Sequence, residues 1–532
     1  MIYGTTCWQD KIDFTLTTYT LPTGKIIETY TDLPTSLYES LCHTAAVYPH
    51  KKAIIDNYNR VYTYGDFLKK TDEFALYLST ALGITANSRV AVMLYSSFEF
   101  CVAYLALTKL GAVTIPLPTK MKEREITYLI DKSGAQHIIC DQDFSPWLLK
   151  YKEMGIFLIL SGNQEYGYGF SHYRGNEHTS ISPDSGRNNV NLLLFTSGTT
   201  SQSKGVVLRN YNVMHAIGSY QKILGISSED RSVIPIPSYH VTGLIALIGL
   251  FVHVGGTLYL HKYFNAKRVL ECVKEHQITF LHGSPTVFSM LLQEAESYSQ
   301  LPSLRQFACG SGYITHQCLQ RIHAWLPNVS FHTVYGLTET SSPATIFPSD
   351  VTTSKWIGSS GLPIPGTVLK IVDDNNQELA PGEVGEILIS GTVVLDSYYN
   401  LKSAALQNGW LRTGDLGYLN SSGYLFVVDR IKDMVNRGGE KVWSYDVENA
   451  LCKIPGVEEA AVVGVPDNIY GEAVAAVIKC TAGSALNAAQ ISNALHGKIA
   501  TYKIPTTFIF CDHIPLTPNG KVDKKKIKTL FT

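Results

Sequence analysis

The chain has 532 residues, more than one simple core holds, so at least two domains are expected. It is 45% hydrophobic and 17% charged, the balance of an ordinary folded protein, which excludes a disordered or fibrous chain. Lys and Arg number 44 against 45 Asp and Glu, a net charge of -1, so no bulk electrostatic bias points to nucleic acid or an anionic membrane.

The first residues, MIYGTTCWQDKIDF, lack a basic start followed by an apolar run, so no signal peptide is expected. The ten Cys are widely spaced, with no CxxC pair and no Cys/His cluster, which fits reduced thiols in a cytosolic protein better than disulfides or zinc. In chain order, RVAVML (89–94), AVTIPL (112–117) and HIIC (137–140) are strand-like, and FEFCVAYLALTKLG between the first two is helical and ends at Gly111 as a C-cap. Strand, helix and strand in that order predict a βαβ unit and a mostly parallel sheet. DRSVIPI, a buried helix, GGTLYL, a helix through RVLECVKEH and ITFLHGSP predict a second such set. The apolar run 243–254 is shorter than the ~20 residues of a membrane span and reads as that buried helix. From about residue 350, VLKIVD, GEILIS and YLFVVDR between Gly, Pro, Asn and Asp turns predict a β-rich subdomain. A smaller α/β unit follows Arg430, with a helix near 445–453, strands EAAVVGV and AVAAVIKC, and a helix near 488–500. The basic run 524–526 reads as a solvated chain end.

The segment 192–209, LLLFTSGTTSQSKGVVLR, carries the chemistry most clearly. An apolar strand enters a loop of Thr196, Ser197, Gly198, Thr199, Thr200, Ser201 and Ser203, closed by Lys204 and Gly205. Hydroxyls and free backbone N–H groups can ring a triphosphate while lysine adds a point charge. The spacing is not that of a Walker A loop, because Ser203 precedes the lysine and Gly205 follows it. Taken alone, the segment reads equally as a Ser/Thr-rich surface turn.

Read together with six further motifs, the segment resembles the phosphate-binding signature of the superfamily of acyl-CoA synthetases, adenylation domains and luciferases. The others, in order, are LALTKLGAVTIPL (105–117), TVYGLTET (333–340), GEILISGTVVLDSYYN (385–400), GWLRTGDLGYLNSSGYLFVVDRIKDMV (409–435), RGGEKVWSYDVENAL with VGVPDNIYGE (437–472), and PLTPNGKVDKKKI (515–527). The resemblance covers nearly the whole chain. It implies an α/β fold: an N-terminal AMP-binding domain, 1–431, of two parallel-sheet α/β subdomains plus a β-rich one, then a small mobile α/β domain, 432–532.

The resemblance also implies the roles. ATP and AMP would be held by Thr196, Ser197, Gly198, Thr199, Thr200, Lys204, Gly310, Ser311, Gly312, Tyr335, Gly336, Thr338, Asp415 and Arg430. Tyr335 would stack on adenine, Thr338 would bond a phosphate, Glu339 would hold Mg²⁺, and Asp415 would accept the ribose hydroxyls. Without the resemblance, Thr338 reads as a helix cap and Asp415 as part of a turn. Lys432 would mark the hinge, and Lys521 would bridge the carboxylate and the α-phosphate; both anions need such neutralisation before they can approach. Gly438 and Gly439 would line the pantetheine path of CoA, and Tyr239, His240, Cys309 and Tyr313 would wall the acid pocket. No Asp lies between Pro235 and Gly243 to pair with an amino group, which argues against an α-amino acid, and the length of the chain with His240 suggests an aryl or medium-chain acid.

The chain departs from the family pattern at Ser201 and Ser203, where Gly and Pro are usual, at Ser397, a common Gly, and at Tyr313, where Pro or Ala is frequent. The last is expected to shorten or polarise the acid pocket. The implied reaction is an ATP-dependent acid–thiol ligation through an acyl-adenylate, with CoA as acceptor. An enzyme loading a carrier protein's phosphopantetheine, a luciferase-like oxygenase and an inactive binding protein stay open as alternatives. A cytoplasmic location without a membrane span is expected.

Overall fold

The computed structural model describes residues 1–532 other than Thr23, 162–180, 197–202, Ala482, 518–520 and Thr532. The first predicted βαβ unit forms as read. Strands Arg89–Met93, Val113–Pro116 and His137–Asp141 run parallel, and helix Phe98–Lys109 crosses between the first two. Every residue of that helix is buried, Glu99 and Lys109 included. Glu99 pairs with Arg60 at 3.0 Å and Lys109 with Asp72 at 2.9 Å, which removes the cost of unpaired buried charge. The Ser97 hydroxyl caps its start by accepting from the Phe100 amide, and Gly111, one residue past the C-cap, turns the chain left-handed at φ 63°. The full sheet has six strands in the order Lys204–Arg209, Val190–Thr196, Val113–Pro116, Arg89–Met93, His137–Asp141, Phe157–Ser161, all parallel but the first.

The second set builds a nine-stranded sheet. Its six central strands, Lys52–Ile55, Thr257–Leu260, Arg231–Ile234, Phe280–Gly283, Gln306–Cys309 and Ser330–Tyr335, are parallel, and the antiparallel strands lie at its two edges. The apolar run after His240 is π-helical over Thr242–Gly249 before one α-helical turn, Leu250–Val254. All eight π-helical residues are buried. One large core unites side chains from both sheets with helices Phe98–Lys109 and Asn210–Leu224.

The β-rich subdomain is a six-stranded antiparallel sheet in which Trp410–Leu419 pairs with Leu425–Arg430 and Gly385–Gly391 with Thr367–Val372. Strand Ile2–Tyr3, from the start of the chain, adds to its edge. Beyond it, residues 435–510 form a separate five-stranded sheet in which Val457–Asp467 and Gly471–Cys480 are the long antiparallel pair. Helices Ser444–Cys452 and Ala488–Leu495 pack on it around their own core. All ten cysteines are unpaired, and among the described residues no helix is long and apolar enough to cross a membrane.

His215 and His282 are fully enclosed, and burial pushes their pKa values down to about 4 and about 3. An unfolded histidine titrates near 6.5. As pH falls below that value, the unfolded chain binds protons that the native state refuses, so stability present at neutral pH is lost on the way down. We expect about 2 kcal/mol from each histidine by pH 5, read as a fall in Tm between pH 7.5 and 5. A Tm that stays level over that interval, or a His282→Leu variant as acid-labile as the parent, would contradict this.

Candidate active site

Strand pairing assembles the first part of the site. The antiparallel register of Trp410–Leu419 and Leu425–Arg430 sets Asp415 opposite Arg430, and strand Ser330–Tyr335 ends beside them. The Tyr335 hydroxyl donates to Asp415 Oδ2 at 2.8 Å, and Arg430 Nε donates to Oδ1 at 2.9 Å. Asp415 is 4% exposed, so both oxygens are aimed by fixed partners. A carboxylate offers about four lone-pair positions, which leaves room on each oxygen for a hydroxyl. Burial, then the charge of Asp415, holds the Tyr335 phenol far above its ordinary pKa, and Asp415 keeps Arg430 charged. The next residue must be glycine: a Cβ on Gly336 would lie 1.7 Å from the Ser342 carbonyl oxygen.

Glu339 sits in the 3₁₀ turn Thr338–Thr340, fastened by the Leu395 amide, which donates to the Glu339 carbonyl at 2.9 Å. Leu337, not Thr338, occupies the cap position of this turn. The Tyr398 hydroxyl donates to Glu339 Oε1 at 3.1 Å, and Lys204 Nζ lies 5.3 Å from the centre of the Tyr398 ring. Burial raises the Glu339 carboxyl, opposed by the Tyr398 hydroxyl and the charges of Lys204 and Arg430. Among the described residues no three His, Cys, Asp or Glu gather into a metal cage. One carboxylate beside a lysine therefore suits a hard cation that arrives on phosphate oxygens, as Mg²⁺ does. Lys204 faces Thr196 across the hairpin that brackets the phosphate-type loop; Ser197, Gly198, Thr199 and Thr200 lie outside the described residues.

Lys521 comes from the C-terminal unit and lies near enough to this cluster for its charges to act on it. Its pKa is pushed down to about 8, first by desolvation and then by Arg430, while Asp415 and Glu339 pull the other way and Lys432 adds to the fall. The residue as a whole is exposed. His240 is pushed down to about 3 by burial and then by Lys521 and Lys120, and its Nε2 has no hydrogen-bond partner among the described residues. The Tyr239 ring is buried and tilts against it at 4.7 Å.

Gly310, Ser311 and Gly312 follow strand Gln306–Cys309; a Cβ on Gly310 would come within 3.2 Å of the Val334 carbonyl oxygen. Lys432 is exposed in the turn whose amides Asp433 and Met434 donate to the Arg430 carbonyl. Gly438 and Gly439 adopt φ of 61° and 94° in the hairpin between Val435–Arg437 and Glu440–Val442, and the Gly438 amide donates to Tyr470 O at 2.8 Å.

Two of the residues expected in the acid pocket are placed elsewhere. Strand alternation sends the Cys309 side chain to the opposite face from Ala308, into the apolar layer of Leu319, Ile322 and Phe331. Tyr313 turns to the C-terminal unit, where its ring stacks on Tyr445 at 4.4 Å and its hydroxyl accepts from Asn449 Nδ2. Tyr398 was not singled out by the sequence, although it lies in the motif GEILISGTVVLDSYYN; its only signal is an aromatic hydroxyl inside that motif.

An AMP-binding enzyme family model matches residues 41–399, and the model of that enzyme's C-terminal domain matches 446–521. The chain belongs to the AMP-binding enzyme family. Tyr335 and Glu339 fall in the first segment and Lys521 closes the second, while Asp415 and Arg430 lie between the two. Among relatives in this family, an indoleacetate–CoA ligase of Aromatoleum aromaticum is 30% identical over 463 residues, covering 85% of this chain and 89% of that protein. A fatty acid–[acyl-carrier-protein] ligase of Streptomyces coeruleorubidus is 29% identical, covering 89% and 92%. The solved o-succinylbenzoate coenzyme A synthetase of Bacillus subtilis, in complex with ATP and magnesium ion, superposes with a TM-score of 0.80 at 28% identity, covering 92% of this chain and 99% of that one.

Proposed function

We propose that the protein activates a carboxylic acid with Mg·ATP and passes the acyl group to the thiol of CoA. In the first half-reaction a carboxylate oxygen attacks the α-phosphorus, the bond to the bridging oxygen breaks, and pyrophosphate leaves. In the second the thiol sulfur attacks the acyl carbon, AMP leaves, and the thiol proton passes to solvent. The observation that supports this reading best is the Tyr335–Asp415–Arg430 arrangement, with Lys521 near enough for the charges of Arg430, Asp415 and Glu339 to act on its ammonium. Two anions must come together in the first step, and that arrangement offers positive charge at their junction.

In this reading Asp415 accepts the ribose hydroxyls, Arg430 steadies it and faces the phosphate, and Lys204 with the loop 196–200 receives the phosphate tail. Tyr335 and Gly336 border the adenine, and Thr338 bonds a phosphate. Glu339 would hold Mg²⁺, which neutralises phosphate charge. Lys521 draws the carboxylate to the α-phosphate, and His240, neutral at pH 7, borders the acid. For the second step the unit 432–532 turns about Lys432 and offers the Gly438–Gly439 hairpin to the pantetheine arm. The buried π-helix after His240 and the missing Asp between Pro235 and Gly243 favour an aryl or medium-chain acid over an amino acid.

Replacing Asp415 with Asn removes one charge-assisted acceptor and loosens Arg430, which should weaken ATP binding by about 1.5–3 kcal/mol, seen as a raised KM for ATP. An unaltered KM would place the ribose elsewhere. The acceptor also admits a second reading, a carrier-protein phosphopantetheine, supported by the likeness to the Streptomyces ligase. The deciding experiment is pyrophosphate release from Mg·ATP across a panel of acids, with CoA, with a holo carrier protein, or with neither. Release with one acid class, sustained only with CoA, supports the proposal. Sustained release with the carrier alone favours the second reading, and no release with any acid contradicts both.

A further inference from the structure

The ring of Tyr313 lies on the side of helix Ser444–Cys452, which belongs to the same unit as Lys521. It stacks on Tyr445 with centroids 4.4 Å apart and planes 11° from parallel. Asn449, one helical turn further on, donates from Nδ2 to the Tyr313 hydroxyl, and its Oδ1 accepts the His316 amide at 3.4 Å. The same helix is fastened from its first residue: Asp429, 0% exposed, accepts from the Ser444 amide and, at 2.9 Å, from its hydroxyl. Lys524, three residues past Lys521, donates to the Ser444 hydroxyl and pairs with Glu448 at 3.2 Å. One continuous set of contacts thus runs from Tyr313, in the N-terminal part, through this helix to the segment that carries Lys521.

We propose that Tyr313 and Asn449 form a clasp that positions Lys521 in the cleft for the adenylation step. The inference rests on the reading of Lys521 given above. A stack and a hydrogen bond between two rigid surfaces fix both separation and rotation, whereas a proline or alanine at position 313 could supply neither. The clasp touches none of the reacting atoms, so Tyr313 and Asn449 act through Lys521. The thiol step needs no Lys521 at the carboxyl–phosphate junction, and losing the clasp leaves that step untouched.

The test separates the half-reactions in the intact protein. Adenylation is followed as acid-dependent pyrophosphate–ATP exchange, and thiol transfer is followed from supplied acyl-adenylate and CoA. An aromatic pair contributes about 0.5–1.5 kcal/mol beyond its buried area, so Tyr313→Leu should slow exchange about two- to tenfold. The KM for ATP and the thiol-transfer rate should stay at the parent values. Tyr313→Phe keeps the stack and should retain most of the rate; Asn449→Ala, on a part-exposed helix face, should lose part of it. The clasp is overturned if Tyr313→Leu and Asn449→Ala leave exchange unchanged, or if they slow both half-reactions equally. Exchange lost with the parent protein itself would instead overturn the adenylation reading, so the two failures are distinct.

Discussion

Lys521→Ala should lower the adenylation rate by about 10²- to 10³-fold, the scale expected when one preorganised charge is removed from a transition state. The cleft explains the size. Around the junction where the carboxylate must meet the α-phosphate, Arg430 is committed to Asp415, and Glu339 contributes negative charge. In the proposed reaction the ammonium of Lys521 supplies the positive charge at that junction. Thiol transfer from supplied acyl-adenylate should change little in the same variant. The reaction also acquires a pH signature. In the proposed reaction the protonated lysine is the working form, and its pKa is pushed down to about 8, first by desolvation and then by Arg430. From neutral pH upward, adenylation should therefore be level until that pH and fall as pH rises through it. Lys521→Arg keeps its charge at high pH, so its profile should lose this alkaline limb even though its planar head fits the site less well. An alkaline limb retained in the arginine variant would assign the titration to another group.

Glu339→Gln comes next in expected effect, with adenylation slowed about 10²-fold and the requirement for magnesium raised. Glutamine keeps the shape and can still accept from the Tyr398 hydroxyl, so the change isolates the loss of charge. Burial raises the Glu339 carboxyl, which means that falling pH protonates it and weakens its hold on a cation. The parent should lose activity on the acid side and recover part of it as magnesium is increased. The variant should show neither effect. A variant with an unaltered magnesium requirement would move the cation to another ligand.

The parallel strands were legible because both of their faces are buried, which leaves continuous apolar runs such as RVAVML between clear turn signals. Gly111 could be placed because a left-handed residue ends the helix there. Other features depend on contacts between distant parts of the chain. Strand Ile2–Tyr3 joins a sheet built mostly after residue 367, and two residues carry no periodicity of their own. Cys309 needed the parity of its strand, since one position along, Ala308 faces the other core. The run after His240 is apolar on every side, so nothing in it distinguishes an α-helix from the π-helix that forms. Tyr313 was visible as a departure from the family pattern, but its partners Tyr445 and Asn449 lie more than 130 residues away, in a unit whose docking no local pattern encodes. The pairing of Asp415 with Arg430 was half legible: both residues stood in one motif, while their contact required the register of the hairpin.

The most direct test of the acyl-adenylate route uses the best acid from the panel, carrying ¹⁸O in its carboxylate, in a reaction with Mg·ATP and CoA. Attack by a carboxylate oxygen on the α-phosphorus, followed by thiol attack on the acyl carbon, leaves one labelled oxygen in AMP, and that is the expected result. Label in inorganic phosphate, or AMP free of label while the thioester forms, would contradict it.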